Sequence, residues 1–154
     1  MTTIDDVAYR TINGITLLAR LYWPDANGPV KWMIDVHGGA WGSGNRLNNA
    51  VIHKALAAHG IGVFALDFRL SGEARYPAMV NDVNYAIRWF KAHAETLDVE
   101  MSMLGAFGSS SGAQQAGLVA LCPARKRWTA LDPAVNAFDA SVSFFVAAWP
   151  ILDP

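Results

Sequence analysis

The chain has 154 residues, of which 53% are hydrophobic and 16% are charged, a composition that allows one domain with a sizeable core and excludes a disordered chain. Its 12 basic and 13 acidic residues give a formal charge of -1 and form no runs, so the sequence lacks the electrostatic signature of nucleic-acid or anionic-membrane binding. The single cysteine, Cys122, allows neither an internal disulfide nor a thiolate metal site.

The N-terminal fifth of the chain predicts three strands. Residues 7–12 and 15–23 are β-rich runs separated by Asn13-Gly14, a strong hairpin signal, so we expect two antiparallel strands. After a turn-like stretch over residues 24–29, the mainly apolar run Val30–Val36 is typical of a strand buried on both faces. Residues 1–6 carry no basic leader, and no later apolar run approaches the roughly 20 residues of a membrane span, so we expect a cytoplasmic protein.

The rest of the chain alternates between helical and strand-like segments. Apolar residues at helical spacing predict a helix over residues 47–59, with the apolar positions Leu47, Val51, Ala55 and Ala58. The longest predicted helix begins at Pro77 and carries an amphipathic stripe of Val80, Val83, Ile87, Phe90 and Ala94. A third helix is predicted over residues 112–121, and strands are predicted over residues 61–66, 101–107 and 141–149.

The order of these segments is β β β α β α β α β. Buried strands that alternate with helices predict an α/β fold with a mainly parallel sheet, helices on both of its faces and an antiparallel hairpin at its entrance. No repeat, low-complexity segment or linker interrupts the chain, so we expect residues 1–154 to form a single domain.

The pentapeptide Gly108-Ser109-Ser110-Ser111-Gly112 fits the nucleophile-elbow pattern GxSxG between a predicted strand and a predicted helix. A serine hydroxyl needs presentation away from the backbone, and the two flanking glycines leave room for the tight turn that presents Ser110. The following helix aims its N-terminal N–H groups at developing negative charge. A glycine- and serine-rich turn that binds phosphate is the competing interpretation, but the GxGxxG and Walker A spacings are missing.

A second motif, His37-Gly38-Gly39-Ala40-Trp41, follows the third predicted strand. Residues with little or no side chain let backbone N–H groups approach the oxygen of a tetrahedral intermediate. We therefore expect Gly39 and Ala40 to be oxyanion donors, with Ser111 as the third. The alternative is an ordinary glycine turn with an internally bonded histidine.

Together, HGGAW, Asp67-Phe68-Arg69-Leu70, Tyr76-Pro77-Ala78 and GSSSG resemble the α/β-hydrolase fold, and most closely its hormone-sensitive-lipase-like esterases. The resemblance is collinear over residues 15–154. It implies that Ser110 is the nucleophile. The oxyanion region that it implies comprises Gly38, Gly39, Ala40 and Ser111, and the residues that support the two motifs are His37, Trp41, Gly108 and Gly112.

The chain departs from that branch at three positions. Ala40 stands where a third glycine is common, Ser109 where an acid is common, and Ala113 where a further glycine is common. The HGGxW motif also resembles arylformamidases, so hydrolysis of an N-formyl aryl amide remains an alternative to ester hydrolysis.

The other members of the expected triad are not evident. In this fold the nucleophile is followed by an acid and then by a histidine. The acids after Ser110 are Asp132, Asp139 and Asp153, of which only Asp153 follows a predicted strand end. All histidines precede the serine: His37 belongs to the HGGAW motif, and His53, His59 and His93 fall on predicted helices, where we expect exposed or rim positions.

We therefore expect a truncated hydrolase whose last strands, triad acid and histidine lie beyond residue 154, and which is nearly inactive alone. The expected chemistry is acyl-enzyme hydrolysis of a small-molecule carboxylic ester, without metal or cofactor and without a nucleic-acid partner. A non-catalytic hydrolase-like binding module is the alternative from a different functional class. Trp41 is a candidate wall of an acyl pocket, and Asp67 and Arg69 are expected to form a structural ion pair.

Overall fold

A mixed six-stranded sheet organises the fold in the computed structural model, which describes residues 3–129 and 132–151. The elements in chain order are β1 (Ile4–Ile12), β2 (Ile15–Tyr22), β3 (Val30–Val36), α1 (Ala50–Ala58), β4 (Ile61–Leu66), α2 (Ala78–Ala92), β5 (Met101–Ser109), α3 (Ser111–Leu121) and β6 (Phe144–Ala148). Within these described residues, no helix combines the length and apolar character needed to cross a bilayer.

The strand order is β1-β2-β4-β3-β5-β6. The β1–β2 and β2–β4 pairs are antiparallel, whereas the β4–β3, β3–β5 and β5–β6 pairs are parallel. Asn13 and Gly14 both have positive φ, as a two-residue hairpin turn requires. The predicted α/β architecture with an entering antiparallel hairpin is therefore confirmed.

Helices cover both faces of the sheet. The larger core lies between the sheet and the α2 and α3 helices, and it includes Ile34, Phe64, Val83, Phe90 and Val119, all at most 1% exposed. The predicted α2 stripe faces this core. On the opposite face, α1 packs through Ala57 on a smaller cluster with Tyr22, Val63 and Ala65.

The prediction for α1 is correct as a helix but wrong in its starting residue. The helix covers Ala50–Ala58, and the preceding segment forms turns instead. Of the predicted apolar positions Val51 is 84% exposed, whereas the buried residues are His53 and Ala57. His53 contacts the buried Asp35 of β3, and this polar contact determines which face of the short helix is buried.

The register of β3 against β5 positions the two sequence motifs. Val36 lies opposite Gly108 at the carboxyl ends of these neighbouring parallel strands. His37 and Ser109, the next residue of each chain segment, therefore lie side by side, and the loop and the turn that follow them meet at this edge.

Candidate active site

Ser110 occupies a strained turn between β5 and α3. Its backbone has φ 52° and ψ -121°, a sparsely populated combination for a non-glycine residue. A Cβ atom at Gly108 would lie 2.5 Å from the Cα atom of Ala113, and one at Gly112 would lie 2.7 Å from the carbonyl carbon of His37. Neither position tolerates a side chain, which explains the spacing of glycines around the serine.

The loop that begins at His37 packs directly against this turn. A Cβ atom at Gly38 would lie 2.9 Å from the carbonyl oxygen of Ser109 and 3.2 Å from the Cβ atom of Ser110. The N–H of Gly38 donates to Oγ of Ser109 at 3.1 Å, and the N–H of Trp41 donates to Oγ of Ser111 at 3.3 Å. The structure thus brings the two motifs together through the serines on either side of Ser110.

Three N–H groups near Ser110 remain available. Among the described residues, no hydrogen bond engages the N–H of Gly39 or of Ala40. Gly39 and Ala40 have φ values of 131° and 49°, so the loop turns through left-handed backbone just after Gly38. Ser111 is the first residue of α3, where the helix leaves its N–H without an internal acceptor.

Among the described residues, His37 hydrogen-bonds to its own loop and not to Ser110. Its ring is 1% exposed, stacks on Phe68 with 4.3 Å between ring centroids, and donates from Nδ1 to the carbonyl oxygen of Gly38 at 2.7 Å. Burial lowers the pKa of His37. A neutral ring that donates from Nδ1 fits the buried site better than a charged one.

The expectation that the helical histidines are exposed or at a rim is wrong for His53. This residue is 1% exposed, and its Nε2 atom lies 2.8 Å from Oδ2 of the buried Asp35 on β3. His59 is exposed, and His93 stacks on Trp89 with 4.1 Å between ring centroids. Among the described hydrogen bonds, none joins a histidine to Ser110.

The acids after Ser110 have other partners. Asp132 accepts from the hydroxyl of Tyr85 at 3.1 Å. Asp139 pairs with Lys91 at 2.7 Å, and this ammonium group, together with hydrogen bonds from Ser141, lowers the pKa of Asp139. Asp153 lies outside the described residues.

The predicted pairing of Asp67 with Arg69 is also wrong. Nε of Arg69 lies 2.8 Å from Oδ2 of the fully buried Asp82 on α2, and Asp67 pairs instead with Arg46 at 2.8 Å. The backbone N–H of Arg69 also donates to Asp82 at 3.0 Å. The loop after β4 therefore turns Arg69 toward α2 and away from the neighbour two residues before it.

A cavity of about 740 Å³ opens between Trp41 of the HGGAW loop and the α2 and α3 helices. Its wall includes Trp41, whose Nε1 atom donates to Oε1 of Gln114 on α3 at 3.0 Å. The rest of the wall comes mainly from α2 and α3 and includes Tyr76, Met79, Val80, Gln115 and Leu118. Trp41, the candidate wall of an acyl pocket, thus belongs to the loop and lines this cavity.

Sequence reasoning missed the polar residues that support the site from the α1 side. The side-chain amide of Asn49 donates hydrogen bonds to the carboxylate of Asp35 and lies within hydrogen-bonding distance of Oγ of Ser109. The available signal was the acid at position 35, which interrupts an otherwise apolar buried run. A carboxylate in such a strand requires polar partners.

Comparison with known proteins agrees with the fold. The chain matches the BD-FAE family model over residues 20–149. It is 31% identical over 121 residues to an ethyl acetate hydrolase from Pseudomonas putida, an alignment that covers 76% of this chain and 38% of that protein.

Two kinds of solved esterase have a similar fold. Thermogutta terrifontis esterase 2 phosphoramylated by tabun matches with a TM-score of 0.85 and 21% identity, over 97% of this chain and 57% of that one. A bacterial heroin esterase matches with a TM-score of 0.80 and 26% identity, over 99% of this chain and 45% of that one. The chain thus spans less than two thirds of each of these relatives. The family match over most of its length confirms the predicted α/β-hydrolase resemblance, and the chain belongs to the BD-FAE family.

Proposed function

We propose that the protein is a serine hydrolase that cleaves small carboxylic esters, with Ser110 as the nucleophile. The observation that carries this proposal is the strained backbone of Ser110, φ 52°, packed against a loop with two uncommitted N–H groups. Backbone strain of this kind persists where the surroundings impose it, and it concentrates at functional sites. The similarity to an ethyl acetate hydrolase and to two esterases supports the same chemistry.

In the proposed reaction, Oγ of Ser110 attacks the ester carbonyl carbon and its proton passes to a general base. The carbonyl oxygen becomes an oxyanion, which the N–H groups of Gly39, Ala40 and Ser111 stabilise together with the N-terminus of α3. The alcohol leaves with a proton from the protonated base. Water then attacks the acyl-enzyme by the same steps, releases the carboxylic acid and restores the serine.

Gly38 belongs to this oxyanion region in a supporting role. Its N–H donates to Ser109 and is not directed to a substrate. A side chain at this position would collide with the turn that carries Ser110. Gly38 thus allows the loop to come close enough for the next two residues to donate.

The general base and its acid partner are assigned to polypeptide outside residues 3–129 and 132–151. All four histidines of the chain lie within the described residues, and none of them forms a hydrogen bond with Ser110 there. Removal of the base from such a triad lowers turnover by orders of magnitude, although the oxyanion site retains some acceleration. Residues 1–154 alone are therefore expected to be nearly inactive.

The cavity beside Trp41 is the proposed site for the acyl or alcohol group. Its volume of about 740 Å³ is within the range of small-molecule sites, which is roughly 300 to 1,000 Å³. Its wall is mainly apolar, although Arg75 also lines it, and such a wall favours an ester with apolar groups. The Thermogutta esterase has also been solved with propionate and with butyrate bound, which supports a short acyl group here.

The test compares Ser110→Ala with Ser102→Ala in the longest natural polypeptide that contains residues 1–154. Ser102 is an exposed serine at the opposite end of β5, so it controls for the loss of a hydroxyl. With p-nitrophenyl acetate, kcat/KM should fall about a thousandfold or more in Ser110→Ala and stay unchanged in Ser102→Ala. Turnover that survives in Ser110→Ala would rule out this nucleophile.

A second arm identifies the substrate class. A fluorophosphonate should add covalently to Ser110, as detected by peptide mass spectrometry, and no adduct should form in Ser110→Ala. Faster turnover of an N-formyl aryl amide than of the ester would replace the esterase proposal by an arylformamidase. If neither turnover nor an adduct forms, the binding-module alternative holds.

A further inference from the structure

A buried polar cluster lies behind the elbow, on the face of the sheet that α1 covers. Nε2 of His53 donates to Oδ2 of Asp35 at 2.8 Å. Nδ2 of Asn49 donates to both carboxylate oxygens of Asp35, at 3.1 and 3.3 Å, and lies 3.4 Å from Oγ of Ser109. The same Ser109 oxygen accepts the N–H of Gly38 at 3.1 Å. A continuous set of hydrogen bonds therefore runs from α1 to the start of the oxyanion loop.

The burial of this cluster is unfavourable in free energy compared with apolar packing between a helix and a sheet. Asp35 and His53 are each 1% exposed, and Nδ1 of His53 has no partner among the described residues. A buried carboxylate carries a desolvation cost that apolar residues of similar volume avoid. The neighbouring contact of Ala57 with Val63 and Ala65 shows that apolar packing on this face is available.

The cluster joins the two strands that carry the site. Asn49 contacts β3 through Asp35 and β5 through Ser109, and these strands end in the oxyanion loop and in the elbow, respectively. His53 holds the Asp35 carboxylate from the other side, so the acceptor of Asn49 has a defined orientation. A single amide group therefore links a side chain of β3 to the last residue of β5, next to the start of the oxyanion loop.

We propose that Asp35, His53 and Asn49 are positioning residues that hold the oxyanion loop against Ser110 through the Ser109 hydroxyl. The inference rests on the proposed function, because positioning matters only if Ser110 reacts. Without Asn49, Ser109 loses a donor and is free to reorient, and the N–H of Gly38 loses its acceptor. The loop then separates from the elbow while the substrate cavity, on the other face, is unchanged.

The experiment compares Asn49→Ala, Ser109→Ala and their combination with Ala57→Gly, in the longest natural polypeptide that contains residues 1–154. Ala57→Gly weakens the same helix without touching the cluster. Misplacement by about 1 Å costs up to roughly a hundredfold in rate, so we expect kcat to fall about tenfold or more in Asn49→Ala, with little change in KM. The kcat of the double variant should be no lower than that of the less active single variant, because both substitutions remove the same contact.

Hydrogen exchange gives a readout that does not depend on turnover. Peptides covering residues 37–46 should exchange faster in Asn49→Ala and in Ser109→Ala than in Ala57→Gly at a matched loss of thermal stability. Equal exchange and equal kcat in Asn49→Ala and Ala57→Gly would overturn the inference, as would independent, multiplying effects in the double variant. If the wild type neither hydrolyses ester nor is phosphonylated at Ser110, the proposed function fails, and the exchange result alone decides whether the cluster positions the loop.

Discussion

The replacement Gly112→Ala tests whether the contact between α3 and the end of β3 sets the geometry of Ser110. A Cβ atom at position 112 would lie 2.7 Å from the carbonyl carbon of His37 and still closer to the carbonyl oxygens of Val36 and His37. All three atoms belong to the backbone, so no side chain can turn aside. The first turn of α3 and the end of β3 must therefore move apart.

The size of this movement follows from ordinary contact distances. Nonbonded carbon atoms approach to about 3.5 Å, so the contact with His37 requires a displacement of about 1 Å. Overpacking of this kind costs about 1–3 kcal/mol in the free energy of unfolding. The same displacement separates Ser110 from the loop that follows His37, which lowers kcat by roughly a hundredfold if the proposed mechanism is correct.

The matched control is Gly117→Ala, the same change five residues later in α3. A Cβ atom there meets only the ring edge of Phe145, at 3.2 Å, and a side chain can yield. Because alanine is the better helix former by about 1 kcal/mol, this variant should be as stable as the wild type or slightly more stable. The assays are urea denaturation of residues 1–154 and ester turnover in the longest natural polypeptide. If Gly112→Ala matches Gly117→Ala in both, the close contact does not set the elbow.

Three further predictions concern buried polar groups. Asp82→Ala removes the carboxylate that Arg10 and the buried Arg69 share, so thermal denaturation should show a loss of about 3–5 kcal/mol, or roughly 6 to 20 °C in Tm. An unchanged Tm would show that these two pairs add nothing to stability. Gln115→Met removes amide atoms that have no partner among the described residues and should raise the free energy of unfolding by about 1–3 kcal/mol, whereas a decrease would reveal a missing partner. Burial lowers the pKa of His37, so the unfolded state takes up a proton that the folded state does not as pH falls below 6.5, and stability declines there. In His37→Asn, urea denaturation between pH 7 and pH 5 should show a shallower decline in the free energy of unfolding than in the wild type. An equally steep decline would show that other groups cause the pH dependence.

Much of the fold could be predicted because its strands are buried on both faces. The runs Val30–Val36 and Ile61–Leu66 have the same bounds in the sequence prediction and in the structure. Such strands are mainly apolar, and both runs end at turn or polar residues: Pro29 and His37 flank the first, and Gly60 and Asp67 flank the second. The α2 helix could be predicted for a related reason: its apolar residues, such as Val83 and Phe90, recur at helical spacing and are fully buried.

The polar partnerships could not be predicted, because they join residues whose relation depends on the tertiary fold. Arg69 pairs with Asp82 across 13 positions, and His53 pairs with Asp35 across 18. Neither spacing has a local signature, so the nearer Asp67 was the only partner that the sequence suggested for Arg69. The burial of His53 follows from the Asp35 carboxylate beneath it, which also explains why the apolar stripe through Val51 faces solvent.

The proximity of the two motifs was predicted, whereas the means of holding Ser110 in place was not. Its strained backbone is held from three neighbouring strands: β3 contacts Gly112, β5 supplies Ser109, and β6 accepts the N–H of Ser110 at Ala148 with a distance of 3.0 Å. These contacts form without any histidine or acid of the expected triad. The geometry of the nucleophile and its activation by a base are therefore separable properties. A variant that disturbs one of the three strands should relax the turn even where the base is intact, and loss of the base should leave the turn unchanged.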